Sequence, residues 1–193
     1  MRYRLISSVL LLLSIGCSQL QPSGPCPIQR LSRLSIEAAE CQFTLGRTAY
    51  TDRRFADAAT HWRRVISIEP QSTRDMDVYA AALGTLGFLY YSGWGVQQDI
   101  ERAMELLKRS VKFGGLEARR HLGVAYEDEN NKFFDRVAAY AWYRSVEHFY
   151  KPFPDEVVAQ RVLQRARQNA EDLKAGLTAE QLEKAEKLAW TIE

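Results

Sequence analysis

Few side chains in this 193-residue sequence have the type and spacing that metal or acid–base chemistry needs. The candidates are the histidines His61, His121 and His148 and the acidic pairs Asp128–Glu129 and Glu171–Asp172. A metal site needs several ligands at short fixed spacings, and no histidine has a second His or Cys at such a spacing. The sequence has neither a nucleophile elbow nor a phosphate-loop lysine motif. We therefore expect no enzyme activity, no metal and no cofactor.

The start of the chain suits export and lipid attachment. Arg2 and Arg4 precede an uncharged apolar stretch, residues 5–15, which is too short to cross a bilayer comfortably. Gly16 and Cys17 follow, and this junction resembles the lipobox of bacterial lipoproteins, where a peptidase cuts before a diacylated cysteine. The resemblance implies a signal peptide over residues 1–16 and an acyl anchor on Cys17. The alternative is an ordinary secretory signal that contains a cysteine.

The residues after Cys17 bear on location and on disulfide formation. By resemblance to Gram-negative lipoproteins, Ser18 favours the outer membrane, with the domain on the periplasmic face. Residues 17–34 hold the acylated cysteine and a proline-rich stretch that predicts a flexible tether. In an oxidising compartment Cys26 and Cys41 can form a disulfide, worth roughly 3 kcal/mol of stability. The alternative is two free thiols, with Cys41 buried as a small apolar residue.

The charge balance gives no reason to expect nucleic acid as a partner. The chain has 26 Lys and Arg against 24 Asp and Glu, a formal net charge of +2. Removal of Arg2 and Arg4 with the signal peptide brings the mature chain close to neutral. Nucleic-acid binding and polybasic attraction to membranes both need a basic surplus. Hydrophobic residues make up 46% of the chain, which is enough for a packed core.

A sequence repeat at a spacing of 36 residues is the main structural signal. Six residues recur at that spacing: Ala82 as Ala118, Leu86 and Gly87 as Leu122 and Gly123, Tyr90 as Tyr126, Asp99 as Asp135, and Ala103 as Ala139. Leu86, Leu89 and Tyr90 share one helix face, and Gly87 lets a neighbouring helix approach closely. A period of this size is typical of stacked helix pairs.

The repeated residues resemble known repeat motifs. Residues 86–99 have Leu-Gly, Tyr, Gly-x-Gly-Val and Asp in order, and they resemble the Sel-one-like repeat. In the second copy Glu129, Asn131 and Lys132 stand where the two loop glycines and the valine are expected, so a different loop path is expected there. An upstream segment resembles the related tetratricopeptide repeat. That resemblance rests on Leu45, Gly46, Phe55, Ala58, Trp62 and Pro70.

These resemblances imply an all-α fold, a short right-handed α-solenoid of antiparallel helix pairs with C-terminal capping helices. The helical repeat domain is expected over residues 35–193. It divides into a tetratricopeptide-like unit at 39–72, Sel-one-like units at 78–114 and 115–150, and capping helices at 154–192.

The capping helices are expected to seal the end of the solenoid core. Pro154 suits the first turn of a helix, and Val157 and Val158 begin its apolar stripe. Thr178 and Gln181 have capping-box spacing. Three tryptophans lie on apolar stripes and are expected in the core: Trp62, Trp142 and Trp190.

Helix-pair solenoids bind partners on the concave surface that the first helix of each pair forms. By motif position, the candidate partner-binding residues are Phe43, Arg47, Tyr50, Phe88, Tyr91, Glu117, Arg120 and Glu127, and Trp94 is a further candidate in a loop. Exposed aromatic residues and arginines are typical of interfaces. Trp94 lies between two loop glycines and either packs against the next repeat or is an exposed contact for a partner. Capping helices that cover Phe88 and Tyr91 are a further alternative.

The resemblance implies a protein–protein interaction scaffold, here held at the membrane by a lipid anchor. Its expected partners are proteins of an envelope assembly, such as a pilus, flagellar, polysaccharide-export or secretion system, and no small-molecule substrate is expected. One alternative is a periplasmic protein that interacts with cell-wall glycopeptide or β-lactams. The other is a soluble periplasmic regulator whose Cys17 is not acylated.

Overall fold

The computed structural model describes residues 36–68, 70, 72–150 and 156–192. These residues form eight α-helices and no strand. The helices are α1 (Ile36–Thr51), α2 (Phe55–Ile66), α3 (Thr73–Ser92), α4 (Ile100–Lys112), α5 (Leu116–Glu127), α6 (Arg136–His148), α7 (Glu156–Lys174) and α8 (Ala179–Ala189). In this part of the chain no helix is both long and apolar enough to span a membrane. The predicted signal peptide, Cys17, the tether, Cys26 and Pro154 lie outside the described residues.

Successive helices pack as pairs, α1 with α2, α3 with α4 and α5 with α6. The first helices of the pairs also contact one another in order, α1 with α3, α3 with α5 and α5 with α7. They therefore form one continuous wall, which we call the first-helix wall. The prediction of an all-α solenoid of helix pairs is confirmed.

The recurring Leu-Gly motif marks where the two helices of a pair come closest. A Cβ added at Gly87 would lie 3.0 Å from Cγ of Leu107 in α4. One added at Gly123 would lie 2.4 Å from Cε1 of Tyr143 in α6. Gly46 in α1 has the same relation to Trp62 in α2, again with 2.4 Å to the nearest ring atom. Only glycine permits this approach, which explains its recurrence.

Replacing Gly123 by alanine is expected to lower the free energy of unfolding by about 1–2 kcal/mol. The new Cβ would overlap the buried Tyr143 ring, so α5 and α6 must move apart. The packing cost itself is larger than this net loss. Alanine favours a helix over glycine by up to about 1 kcal/mol, and this gain offsets part of the packing cost. Urea unfolding followed by circular dichroism measures the difference.

Gly84→Ala is the matched control, because Gly84 is also a helical glycine. Its added Cβ would meet the nearest atom, Oγ of Ser110, at 3.2 Å, a wider distance than the 2.4 Å to the Tyr143 ring at Gly123. This variant is expected to stay within about 0.5 kcal/mol of the wild type. Equal losses in the two variants would contradict close helix approach as the reason for glycine at position 123.

Polar side chains fix where the second helices begin. The carboxylate of Asp99 accepts a hydrogen bond from the backbone N–H of Arg102 at 2.9 Å, and Asp135 caps α6 in the same way. Thr178 and Gln181 form the predicted capping box at the start of α8. Each cap satisfies backbone N–H groups that have no partner within the helix.

The loops between first and second helices differ between the two repeats. Gly93 and Gly95 adopt φ values of 70° and 68°, which favour glycine, and a Cβ on Gly95 would lie 2.3 Å from the backbone N of Ala56. This loop therefore packs closely on the start of α2. In the next repeat the side chain of Asn131 replaces the glycines and donates a hydrogen bond to the carbonyl of Ala125 at 2.8 Å. The different loop path expected there is found.

Helices α7 and α8 both pack on α6 and close the last part of the core. Buried alanines let them approach, Ala166 and Ala170 on α7 and Ala185 and Ala189 on α8. The guanidinium of the buried Arg119 donates a hydrogen bond to the carbonyl of Ile192 at 3.0 Å, which ties the end of the chain to α5.

Three of the predicted core positions in these capping helices are wrong. Val157, Val158 and Trp190 are 68%, 60% and 63% exposed. The two valines lie in the first turn of α7, and no described element covers that turn. Trp190 follows the last residue of α8, and its ring stacks on the outer side of His148 at 3.7 Å.

Candidate protein-binding surface

A row of aromatic rings crosses from the first repeat unit to the third. The ring centroids of Tyr50 and Phe55 are 5.3 Å apart, and those of Phe55 and Trp94 are 5.0 Å apart. Trp94 meets Phe88 edge to face at 5.5 Å, and Phe88 stacks on His121 at 4.6 Å. We call these five residues the aromatic row. Because it links α1, α2, α3 and α5, it stiffens the array, and Trp94 is its exposed member.

Trp94 is the most accessible described ring of the aromatic row, with 44% of its surface exposed. The two flanking glycines direct it back toward the first unit, where it packs on Phe55. The expected packing of Trp94 on the next repeat is wrong, because the ring packs on the preceding one; it stays partly exposed, and its contact with a partner stays a prediction. A rigidly held, partly exposed aromatic ring is typical of residues that dominate binding energy at interfaces.

An ion-paired cluster lies beside the end of the aromatic row. Oε1 of Glu117 accepts hydrogen bonds from Nη2 and Nε of Arg120 at 2.7 and 3.2 Å, and Nε2 of His121 lies 3.3 Å away. We call Glu117, Arg120 and His121 the Glu117 cluster. His121 is only 7% exposed. Its Nδ1 and the second oxygen of Glu117 are buried without a hydrogen-bond partner among the described residues.

Burial and charge set the protonation states in the Glu117 cluster. Burial would raise the pKa of Glu117, but the hydrogen bonds from His121 and Arg120 outweigh it and lower the pKa to about 2. Burial lowers the pKa of His121, with a smaller opposing effect from Glu117. At neutral pH the cluster therefore contains a carboxylate, a guanidinium and a neutral imidazole. Such a cluster can orient polar groups of a partner beside the aromatic row.

The ionised state of Glu117 predicts a pH dependence of stability. Because the pKa in the folded state, about 2, lies below the unfolded value, the stabilisation is present above about pH 4.5 and is lost as pH falls toward 2. We expect it to amount to about 1–2 kcal/mol, since the side chain is 35% exposed and solvent screens the interaction. Urea unfolding of Glu117→Gln and wild type should differ most at pH 7 and converge near pH 2.

The matched control for this pH dependence is Glu129→Gln. Glu129 also pairs with an arginine, Arg136, but its side chain is 66% exposed. Its replacement is expected to cost less than about 0.5 kcal/mol at every pH. A gap between wild type and Glu117→Gln that stays constant with pH would show that Glu117 does not stabilise the fold through its charge.

Several predicted binding residues make contacts within the fold. Phe43 and Tyr50 are half-buried against the ring of Trp62, at centroid distances of 6.3 and 5.9 Å. The hydroxyl of Tyr91 donates to Asp128 at 2.9 Å. Glu127 accepts a hydrogen bond from the Tyr143 hydroxyl at 2.7 Å.

The other predicted residues leave more surface for a partner. Arg47 is exposed on α1, Phe88 is half-buried in the aromatic row, and Arg120 is half-buried in the Glu117 cluster. Because α7 packs beside α5 and α6, the capping helices leave Trp94 uncovered. The accessible part of the predicted surface is therefore centred on Trp94.

Two members of the aromatic row were not predicted as part of the surface. Phe55 was noted only as a match to the tetratricopeptide motif, and His121 only as a candidate for metal or acid–base chemistry. Their contacts with Trp94 and Phe88 join different units. In the sequence, only the spacing of 36 residues indicates that residues of different units come close, because a repeat of this size stacks equivalent helices side by side.

Cysteine and metal chemistry are limited in this part of the chain. Cys41 in α1 is disulfide-bonded. Cys26 lies outside the described residues, so the pairing of these two cysteines stays a prediction. Among the residues placed by the structure, no three His, Cys, Asp or Glu side chains could together hold a metal ion.

Comparison with known proteins gives a structural likeness. No protein-family model matches the chain, and no curated protein gives a significant match. Among solved structures, the chain is similar to c5321, a protective antigen present in uropathogenic Escherichia coli strains that displays an SLR (Sel-one-like repeat) fold. The TM-score is 0.56 at 22% identity, over 79% of this chain and 32% of the antigen. The chain thus spans about a third of that protein's length, and the fold is a Sel-one-like repeat fold.

Proposed function

We propose that this chain is a lipid-anchored protein–protein interaction scaffold of the bacterial envelope and has no enzyme activity. The aromatic row, with Trp94 accessible near its centre, is the observation that carries the proposal. Helix-pair solenoids use such extended surfaces to bind other proteins. The ion pairs of the Glu117 cluster add fixed polar groups that can orient a partner beside the rings.

The proposed location follows from the start of the sequence. Cys17 after an apolar stretch and Gly16 suits acylation, and Ser18 favours the periplasmic face of the outer membrane. Two acyl-chain signals give stable attachment without a spanning helix. The proposed partner is accordingly a protein of an envelope assembly that works close to the membrane.

Metabolic labelling with a palmitate analogue tests the anchor. Wild-type protein should incorporate the label and float with membranes, and Cys17→Ala should do neither. Cys26→Ala is the matched control, since it also removes one cysteine but should still be labelled. Labelling or flotation of Cys17→Ala would contradict the anchor.

Crosslinking in intact envelopes tests the scaffold. A pull-down after crosslinking should recover a specific envelope protein with the wild type, and less of it with Cys17→Ala, because release from the membrane lowers the local concentration. No partner from crosslinked envelopes, with a correctly located and folded chain, would contradict a scaffold function.

A further inference from the structure

The exposed apolar side chains collect at one edge of the solenoid. Because the helices alternate in direction, α1, α3, α5 and α7 begin at the same edge at which α2, α4, α6 and α8 end. Ring contacts confirm the arrangement, since Tyr79 near the start of α3 meets Phe113 after α4 at 5.0 Å, and His148 meets Trp190 after α8. We call this the proximal edge, and the opposite edge, which holds the loops after α1, α3 and α5, the distal edge.

Most of the exposed large apolar residues belong to the proximal edge. They are Met76 in the first turn of α3, Phe149 after α6, Val157 and Val158 in the first turn of α7, and Trp190 after α8. The distal edge has Trp94 and Phe134, and Leu45 lies within α1. Such a bias toward one edge indicates a surface that meets an apolar environment.

The first turns of α7 extend beyond the end of α6 at the proximal edge. Near the end of α6, Glu147 accepts a hydrogen bond from Nε of Arg167 at 3.1 Å, so Arg167 marks the level at which α6 ends. Val157 precedes Arg167 by ten residues, which is roughly 15 Å along a helix. The two valines therefore lie on a helix end that extends past α6, and both are more than half exposed, which suits insertion into a soft surface better than a flat protein contact.

The chain itself indicates what that surface is. Residues 1–35 precede α1, so they join the domain at the proximal edge, and they include the apolar stretch 5–15 and Cys17. Arg64 and Lys112, in the last turns of α2 and α4, are exposed at the same edge and suit lipid phosphates. Tryptophan with small apolar side chains and nearby basic residues is typical of a membrane interface.

We infer that the proximal edge lies against the lipid bilayer, with Trp190 in its interfacial layer and Val157 and Val158 reaching deeper, into the acyl chains. This inference rests on the proposed anchor at Cys17. The helices then stand upright on the membrane, and the solenoid lies along it. Because α3 has 20 residues, the loop with Trp94 is held about 30 Å from the bilayer, facing a partner.

Tryptophan fluorescence tests the orientation with the protein purified from membranes and reconstituted. The vesicles contain phosphatidylethanolamine and phosphatidylglycerol with brominated acyl chains, which quench only tryptophans in contact with lipid. Trp62 and Trp142 are buried, so Trp94 and Trp190 are compared as a matched pair. Trp94→Phe, which keeps Trp190, should lose roughly a third or more of its emission, and Trp190→Phe should lose little.

A second pair of variants tests the valines without removing a fluorophore. Val157→Asp with Val158→Asp should reduce quenching of Trp190 at least twofold, because charge is unfavourable in the lipid layer. Phe134→Asp at the distal edge should leave the quenching unchanged. Circular dichroism confirms that both variants are folded.

The outcomes separate this inference from the anchor. Vesicles that carry the protein but quench Trp94 and Trp190 equally, or neither, would overturn the orientation and leave the anchor intact. Protein that does not float with the vesicles would overturn the anchor, and the orientation with it. If Trp190 is shielded by a crosslinked protein and is not quenched by lipid, the proximal edge binds a protein and not the bilayer. That result would also overturn the inference.

Discussion

Trp62→Ala is expected to lower the free energy of unfolding by about 3–5 kcal/mol. The ring is 1% exposed, packs between Phe43 and Tyr50, and donates a hydrogen bond from Nε1 to the carbonyl of Phe43 at 3.4 Å. It also fills the space that Gly46 leaves at the crossing of α1 and α2. Its removal leaves a cavity that two helices cannot close without moving. Urea unfolding followed by circular dichroism measures the loss, against a usual total of about 5–15 kcal/mol.

The loss should also be local. In a solenoid each unit contacts only its neighbours, so damage to the first unit should spread weakly to the last. Hydrogen exchange of Trp62→Ala should show lost protection in α1 and α2 with much of it kept in α5–α8. Trp62→Phe, which retains most of the buried area, should cost about 1–2 kcal/mol. Uniform loss of protection along the chain would show that the array folds as one unit.

The parts of the fold that depend on local spacing were predictable. Leu-Gly at a spacing of 36 residues identified the crossings at Gly87 and Gly123, because close helix approach demands glycine there. Thr178 and Gln181 identified the start of α8, since capping side chains act on backbone N–H groups only a few residues away. Each of these features involves residues near in sequence or a repeated pair, so the sequence contains the necessary information.

The ends of the solenoid were predicted less well, for a physical reason. The apolar pattern of Val157 and Val158 continues the buried stripe of α7, but burial also requires a neighbouring helix at the same level. Helix α6 has 13 residues and α7 has 19, so the first turn of α7 has no partner in α6. Periodicity identifies the face of a helix that is apolar, and it does not give the length of the helix that covers it.

The residues of the candidate protein-binding surface were likewise predicted only in part. Motif position placed Phe88 on the partner-binding side, Trp94 was a candidate as a loop residue, and both belong to the aromatic row. Tyr91 and Glu127 satisfied the same positional rule, yet they bond to Asp128 and to a tyrosine of α6. Motif position indicates which wall a residue lies on. Whether its polar atoms remain available depends on partners that are distant in sequence.

Trp94→Ala is expected to weaken partner binding at least thirtyfold, equivalent to about 2 kcal/mol or more. Trp94 is the accessible centre of the aromatic row, held by Phe55 on one side and Phe88 on the other, so it loses little conformational freedom on binding. The measurement is the recovery of the crosslinked partner from intact envelopes, followed by the dissociation constant of the purified pair. Trp94→Phe, which keeps an aromatic ring, should lose less than tenfold.

Phe134→Ala tests whether the partner recognises Trp94 specifically or binds any exposed aromatic side chain nonspecifically. Phe134 is 41% exposed, close to the 44% of Trp94, and it lies at the same edge in the following repeat. It has no ring neighbour in the aromatic row, so its removal should leave affinity within about threefold of wild type. Trp94→Ala removes packing on Phe55 and Phe88, so unfolding curves must show that the first two units remain folded. If both alanine variants bind the partner as tightly as the wild type does, the binding site lies elsewhere, on the first-helix wall. Arg47 and Arg120 are then the next residues to test.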